Sequence, residues 1–305
     1  AYAYLADEAQ WKAINSDGRY HWFIDYYLDE MKKASENSGQ RLLDVLDVHY
    51  YSESSKTDKD ADIVQSVRTL YEKGFAENSW IGQWCQENVP ILPTIQKSID
   101  TYYPKTKLAI SEYDFKGGDR ASGAVAQVEA LGCYADNSVY YATLWGEGAY
   151  QYSGINLYTN YDGKGSSFGD TLLKTETDDV SLSSAYASVN SNSEKKLTMS
   201  ITNKDSSKSE EINISINNSD KEYKSAAVYG IYGETRKIRL IGTFKDIADN
   251  KLTVTLPAMS ASMVVFDTDA NAFDDTGKEG VTEREITIVG AKVGKDADGK
   301  YGVAI

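Results

Sequence analysis

Apolar and polar positions divide the chain into two patterns. Up to about residue 176, short apolar runs alternate with stretches of helical spacing. Trp22, Phe23, Tyr26, Tyr27, Met31 and Ala34 recur at three- and four-residue intervals, which predicts a helix over 21–38 closed by Gly39. Residues 41–51, Arg41-Leu-Leu-Asp-Val-Leu-Asp-Val-His-Tyr-Tyr51, read as a buried strand whose polar members crowd its end. Further helices are expected over 62–74, 91–102 and 119–136. Between them lie a long aromatic loop, Glu77-Asn-Ser-Trp-Ile-Gly-Gln-Trp84, and two more strands, around 107–115 and 138–146. Residues 1–20 carry a turn signal at Ser16-Asp17-Gly18 and are expected as a loop. Strand–helix alternation of this kind belongs to a parallel sheet or barrel.

After residue 176 the period changes to two. Leu197-Thr-Met-Ser-Ile-Thr, Glu211-Ile-Asn-Ile-Ser-Ile, Ala226-Ala-Val-Tyr-Gly-Ile-Tyr, Leu252-Thr-Val-Thr-Leu and Ser262-Met-Val-Val-Phe are separated by polar turns. They predict an antiparallel β-sandwich over 177–268. Residues 269–282 are rich in Asp, Gly and Thr and read as a linker. Arg284-Glu-Ile-Thr-Ile-Val-Gly-Ala-Lys-Val-Gly then looks like the start of a further module. The chain has no starting Met and is expected to be a piece of a longer polypeptide.

Composition narrows the possible partners. In 305 residues the formal charge is −14, which argues against a nucleic-acid backbone or an anionic membrane surface. No stretch approaches the roughly 18 apolar residues of a membrane span. Tyr occurs 23 times and Trp 5 times, enough for flat stacking surfaces as well as core. The two cysteines, Cys85 and Cys133, are either paired or free, and their spacing does not decide which. With only two histidines, His21 and His49, no zinc-site spacing exists. No cofactor or metal is expected. The Asp-rich stretches at 160–170 and Asp296-Ala-Asp-Gly299 allow a structural calcium ion, a solvated turn being the plainer reading.

The candidate chemistry sits in Lys107-Leu-Ala-Ile-Ser-Glu-Tyr-Asp-Phe115. A buried run, Leu108 to Ile110, breaks abruptly into Glu112. A carboxylate at the carboxyl end of a buried strand is costly unless paired, and in an α/β barrel that end carries catalytic groups. The alternative is half of a structural ion pair.

Four runs together resemble glycoside hydrolase family 44. They are His21-Trp-Phe-Ile-Asp-Tyr-Tyr-Leu28, Leu42-Leu-Asp-Val-Leu-Asp-Val-His-Tyr-Tyr51, Ile110-Ser-Glu-Tyr-Asp-Phe115 and Tyr140-Tyr-Ala-Thr-Leu-Trp145, in the family's order, and the likeness spans roughly residues 1–268. The resemblance implies a bacterial, secreted, extracellular endoglucanase built as a (β/α)8 barrel packed on a β-sandwich. It implies a retaining mechanism on β-1,4-glucans such as cellulose derivatives and xyloglucan. Glu112 matches the family's nucleophile, at the end of the seventh barrel strand. Retention needs a second carboxyl group about 5–5.5 Å away, acting first as acid and then as base. In the family that group lies in an Asn-Glu-Pro-like motif after the fourth strand, and no such motif occurs here. The expected fold is therefore α/β plus all-β: an incomplete TIM barrel of C-terminal strands over 1–176, followed by the β-sandwich. It would hold the nucleophile without its acid, and be inactive alone. Glu147 and Asp47 are weak stand-ins for that acid.

Around Glu112, His49 and Tyr50 end the preceding strand, where either can donate a hydrogen bond that keeps the carboxylate ionised. Tyr113 follows the nucleophile, with Asp114 after it. Trp80, Trp84 and Trp145 match the family's substrate-stacking tryptophans, and indole is a broad apolar platform for the C–H faces of sugars. Trp11 and Trp22 are assigned to structure. The second reading is a non-catalytic carbohydrate-binding or scaffold module, with a neighbouring binding or docking module in the same polypeptide.

Overall fold

In the computed structural model, residues 7–54, 59–146 and 148–273 are described, together with the backbone of 292–295 and 301–304. The first pattern folds as helices α1 (Glu8–Ile14) and α2 (Phe23–Ser38), strand β1 (Val45–Tyr51), and helices α3 (Asp60–Ser66), α4 (Trp80–Trp84) and α5 (Ile91–Tyr102). Strand β2 (Lys107–Asp114), helix α6 (Ala121–Asp136), strand β3 (Tyr141–Leu144) and helix α7 (Ala149–Thr159) complete it. The strands form a parallel sheet in the order β1-β2-β3. Leu46, Tyr50, Leu108, Ile110 and Tyr113 point to one face of this sheet, where they bury with Leu28, Ile95 and Ile99 of α2 and α5.

Local chemistry accounts for the helix ends. Asp25 accepts hydrogen bonds from the His21 and Trp22 amides at the start of α2, and Gly39 closes it in the left-handed conformation at φ 73°. Two elements differ from expectation. The supposed loop over 1–20 contains α1, because Asp7 caps it through the Gln10 amide and Lys12 pairs with Glu8 one turn away. The aromatic loop contains α4, capped by the Ser79 hydroxyl on the Ile81 amide.

The second pattern begins with Thr171, ahead of the boundary placed at 177. Strands β4 (Thr171–Leu173), β5 (Ala185–Asn190), β6 (Ser193–Asn203), β7 (Glu210–Ser215), β8 (Ser225–Tyr232), β9 (Thr235–Lys245), β10 (Lys251–Leu256) and β11 (Ser260–Asp267) are all antiparallel. They make a six-stranded sheet, β4-β5-β6-β11-β8-β9, and a two-stranded sheet, β10-β7. One apolar cluster lies between the two sheets, around Leu197, Ile214, Val254 and Phe266. Another lies between the large sheet and the helices α6 and α7, around Val125, Leu157, Met263 and Val265. β11 is buried on both faces for that reason and shows no alternation, whereas β10 alternates strictly. Strands β12 (Lys292–Lys295) and β13 (Tyr301–Ala304) pair as a hairpin. Residues 284–291 lie outside the described residues.

Candidate functional site

The open face of the parallel sheet carries the polar residues. Side chains alternate along a strand, so with Leu46 and Tyr50 on the helix side, Asp47, His49 and Tyr51 of β1 look outward. On β2 the register jumps from Val48 opposite Ile110 to His49 opposite Glu112, which leaves Ser111 as an extra residue. A bulge of this kind re-aims side chains. It lets Ser111 and Glu112 share the open face while Tyr113 returns to the core.

Glu112 is 28% exposed there. Its Oε2 accepts a hydrogen bond from the Tyr51 hydroxyl at 2.6 Å and lies 3.2 Å from His49 Nδ1. The bond to Glu112, followed by partial desolvation and the charges of Glu112 and Asp114, pushes the Tyr51 phenol up to about 12. Tyr51 therefore stays a donor through the neutral range. Behind His49, Ser111 Oγ stands 3.2 Å from Nε2 and 2.5 Å from Asp47 Oδ2, and the Ser111 amide donates to Asp47 Oδ1 at 2.9 Å. Thr143 of β3 donates its hydroxyl to the Ser111 carbonyl, fixing the bulge from the other side. Asp114 is committed elsewhere, accepting from Gln151 Nε2 at 2.6 Å and the Lys116 amide at 2.8 Å.

Two expectations are corrected. Tyr50 is 7% exposed and faces the helices, donating its hydroxyl to Glu77 Oε2 at 2.9 Å. Burial first, then the Glu77 charge, pushes its phenol well up. Tyr113 is 1% exposed, accepts from Gln127 Nε2 at 2.6 Å, and packs edge-on against Tyr134. Neither side chain is available to a substrate. The tyrosine that reaches Glu112 is Tyr51, one position along, because a one-residue step on a strand crosses the sheet.

Glu77 is the residue that sequence reasoning missed. At 2% exposure it accepts from Tyr50, from the Glu53 amide at 2.8 Å and from Ser79 Oγ at 2.7 Å, while its own amide donates to Thr69. It thus ties β1, the loop after it and the cap of α4 together. Its only sequence signal was a charged residue two positions before a helix cap.

The tryptophans are placed as exposed surfaces. Trp145 follows β3 with its amide on the Tyr113 carbonyl and is 67% exposed. Trp80 and Trp84 sit on α4, at 40% and 78% exposure. Indoles this open offer apolar area that water solvates poorly. Glu147 and Asp296–Gly299 lie outside the described residues. In the 160–170 stretch, Asp162 caps its own turn through the Lys164 and Ser166 amides. Among the described residues no cluster of three or more His, Cys, Asp or Glu could hold a metal ion. Both cysteines are free, Cys133 fully within the core. A concavity of about 880 Å³ opens between the two β-sheets of the second half, away from Glu112. The hydrogen-bonded carboxylate at a strand end, not cavity size, marks the candidate site.

Known proteins bear on this arrangement. The sequence profile of Glycoside hydrolase family 44 matches residues 1–54. Endoglucanase A of Paenibacillus lautus is 38% identical over 286 residues, covering 88% of this chain and 40% of that protein. The solved family 44 endoglucanase from Clostridium thermocellum is 42% identical with a TM-score of 0.82, covering 88% of this chain and 55% of the other. A family 44 xyloglucanase from Paenibacillus polymyxa, solved with xyloglucan, is 36% identical with a TM-score of 0.83, at the same 88% and 55% coverage. The chain spans less than half of the curated relatives it matches and about half of the solved ones.

Proposed function

The chain belongs to glycoside hydrolase family 44, and from that premise we propose that it is the part of a retaining endo-β-1,4-glucanase that carries the nucleophile, Glu112. The observation that carries the reading is the convergence of Tyr51 and His49 on one carboxylate oxygen, Oε2. Contacts on Oε2 leave Oε1 as the atom that attacks the anomeric carbon, displacing the glycosidic oxygen, which the second carboxyl group protonates, and forming a glycosyl ester that water later hydrolyses.

The parallel sheet is read as an arc of a (β/α)8 barrel over 1–176, with Glu112 at the carboxyl end of its strand, where such barrels place their chemistry. The β-sandwich then extends to residue 268, with a linker and the start of a further module after it. The acid/base carboxyl is assigned to residues outside this chain. The open-face carboxylates in view, Asp47 and Asp114, are held by Ser111 and by Gln151 with the Lys116 amide. Substrates are cellulose-type glucans and xyloglucan, a reading supported by one relative named an endoglucanase and another solved with xyloglucan. Trp145, Trp80 and Trp84 form stacking platforms for their glucose rings. The protein is assigned to the extracellular space, where such polymers lie. The chemistry uses two carboxyl groups and needs no cofactor.

The test is Glu112→Gln in the complete enzyme. Hydrolysis of carboxymethyl-cellulose should fall on the order of 10⁴-fold or more, the scale of losing a nucleophile, with the melting temperature nearly unchanged. Retained hydrolysis would place the nucleophile elsewhere. The present chain alone should show no turnover of the same substrate, and measurable endo-cleavage by it would overturn the assignment of the acid/base.

A further inference from the structure

The hydrogens around His49 can be counted. Ser111 Oγ is 2.5 Å from Asp47 Oδ2 and 3.2 Å from His49 Nε2. A hydroxyl has one hydrogen, and a carboxylate can only accept. A 2.5 Å separation belongs to an O–H donating to a charged oxygen, so the Ser111 hydrogen lies toward Asp47. The Ser111 oxygen is then left as an acceptor toward the ring, and a hydrogen on His49 Nε2 is what turns that 3.2 Å contact into a bond. The opposite arrangement, with the hydroxyl turned to Nε2 and the ring hydrogen on Nδ1, leaves Asp47 Oδ2 without the short bond.

A neutral imidazole has one N–H. With that hydrogen on Nε2, a neutral ring presents a bare lone pair at Nδ1 to Glu112 Oε2, 3.2 Å away. Two lone pairs repel, so the contact becomes a hydrogen bond only when a second proton lies between Nδ1 and Oε2. We infer that Asp47 and Ser111 are positioning residues that hold a hydrogen on His49 Nε2, making Nδ1 the nitrogen that gains and releases the proton facing Glu112. What the ring's other nitrogen bonds to decides the tautomer.

The consequence for turnover rests on Glu112 being the nucleophile. With the second proton present, Oε2 has two donors and Oε1 is free to form the new C–O bond. Without it, one donor is lost and a lone pair faces the carboxylate. The groups facing the ring are Asp47 and Tyr51 from β1 and Glu112 from β2, with Asp114 and Lys116 one step further. Thr143, the β3 residue that reaches the bulge, adds no charge.

Because His21 is the only other histidine, a His21→Gln chain has a single imidazole. Its nitrogen-15 long-range correlation spectrum reads the tautomer directly, in the whole chain and without substrate. In the neutral ring Nε2 should appear protonated and Nδ1 unprotonated, as one species. Ser111→Ala removes the acceptor, so the hydrogen should move to Nδ1, where the Glu112 carboxylate is the remaining strong acceptor. An Nδ1–H ring in the otherwise unaltered chain overturns the inference, whether or not the variant folds. An unchanged tautomer in folded Ser111→Ala overturns it too. In the complete enzyme, Ser111→Ala should carry the alkaline limb of kcat/KM to higher pH, since a neutral ring would then still donate to Glu112. An unmoved limb removes the positioning role. Failure of the nucleophile reading is separate, since it shows as full activity in Glu112→Gln whatever the tautomer.

Discussion

Adjacent tyrosines in β1 have opposite fates, and they make the sharpest test at the scale of single residues. Tyr51→Phe removes a donor from Glu112 without leaving a buried group unpaired. In the complete enzyme it should lower kcat/KM by about tenfold, the low end for a bond to a charged group because the pair is partly solvated. Tyr50→Phe instead removes a buried donor from Glu77. It should cost about 1–3 kcal/mol of stability by urea denaturation, with a much smaller effect on rate. A reversal of the two outcomes would mean that the pleat has been read with the wrong face inward. The Tyr51 phenol, raised from 10 to about 12, contributes its support below pH 10 and loses it as pH rises from 10 through 12. This residue therefore contributes no acid limb to the activity profile.

At the scale of elements, α4 is too short to stand on its own, since helices under roughly 12 residues are marginal in water. Glu77 and the Ser79 cap hold it. Glu77→Ala strips an acceptor from Tyr50, the Glu53 amide and Ser79 at once. It should destabilise the fold by about 3 kcal/mol or more, with Ser79→Ala costing about 1 kcal/mol. Chemical denaturation reads both, and tryptophan fluorescence should report Trp80 and Trp84 moving in the first. A second test lies where α6 crosses β5. A Cβ on Gly132 would come within 2.1 Å of the Tyr186 ring. Gly132→Ala should then cost about 1–3 kcal/mol by overpacking in spite of alanine's higher helix propensity. A stabilised variant would show that the helix can shift away.

At the scale of the whole molecule, one buried ion pair joins the helical half to the large antiparallel sheet. Lys204 Nζ, past the end of β6, lies 2.9 and 2.8 Å from the two oxygens of Glu129 on α6, and both side chains are wholly buried. Tyr71 donates to Glu129 at 2.7 Å and the Lys204 ammonium also donates to the Val180 carbonyl. Burial, then the Glu129 charge, pushes the Tyr71 phenol far up. Such a pair need not stabilise in net terms, but removing one partner strands a charge. Glu129→Leu should cost about 3–5 kcal/mol in urea denaturation, and Glu129→Leu with Lys204→Met should recover most of it. Equal losses in the single and double variants would mean that packing and not charge dominates the site.

Much of this was legible in the amino-acid order. Period two marks β7 and β10, short apolar runs bounded by polar turns mark β8 and β11, helical spacing marks α2 and α5, and the abrupt end of an apolar run marks Glu112. These signals are local, because each depends on side chains a few residues apart. The bulge at Ser111, the choice of Tyr51 over Tyr50 and the burial of Glu77 and Glu129 were decided by tertiary structure. Whether a residue faces solvent, a helix or an open sheet depends on register with a strand some sixty residues away. A slip of one position in that register exchanges the two faces. Sequence determined that a carboxylate stands at the end of a buried strand. Only the pairing of β1 with β2 decided which neighbours hold it, since those contacts form between residues that no local period relates.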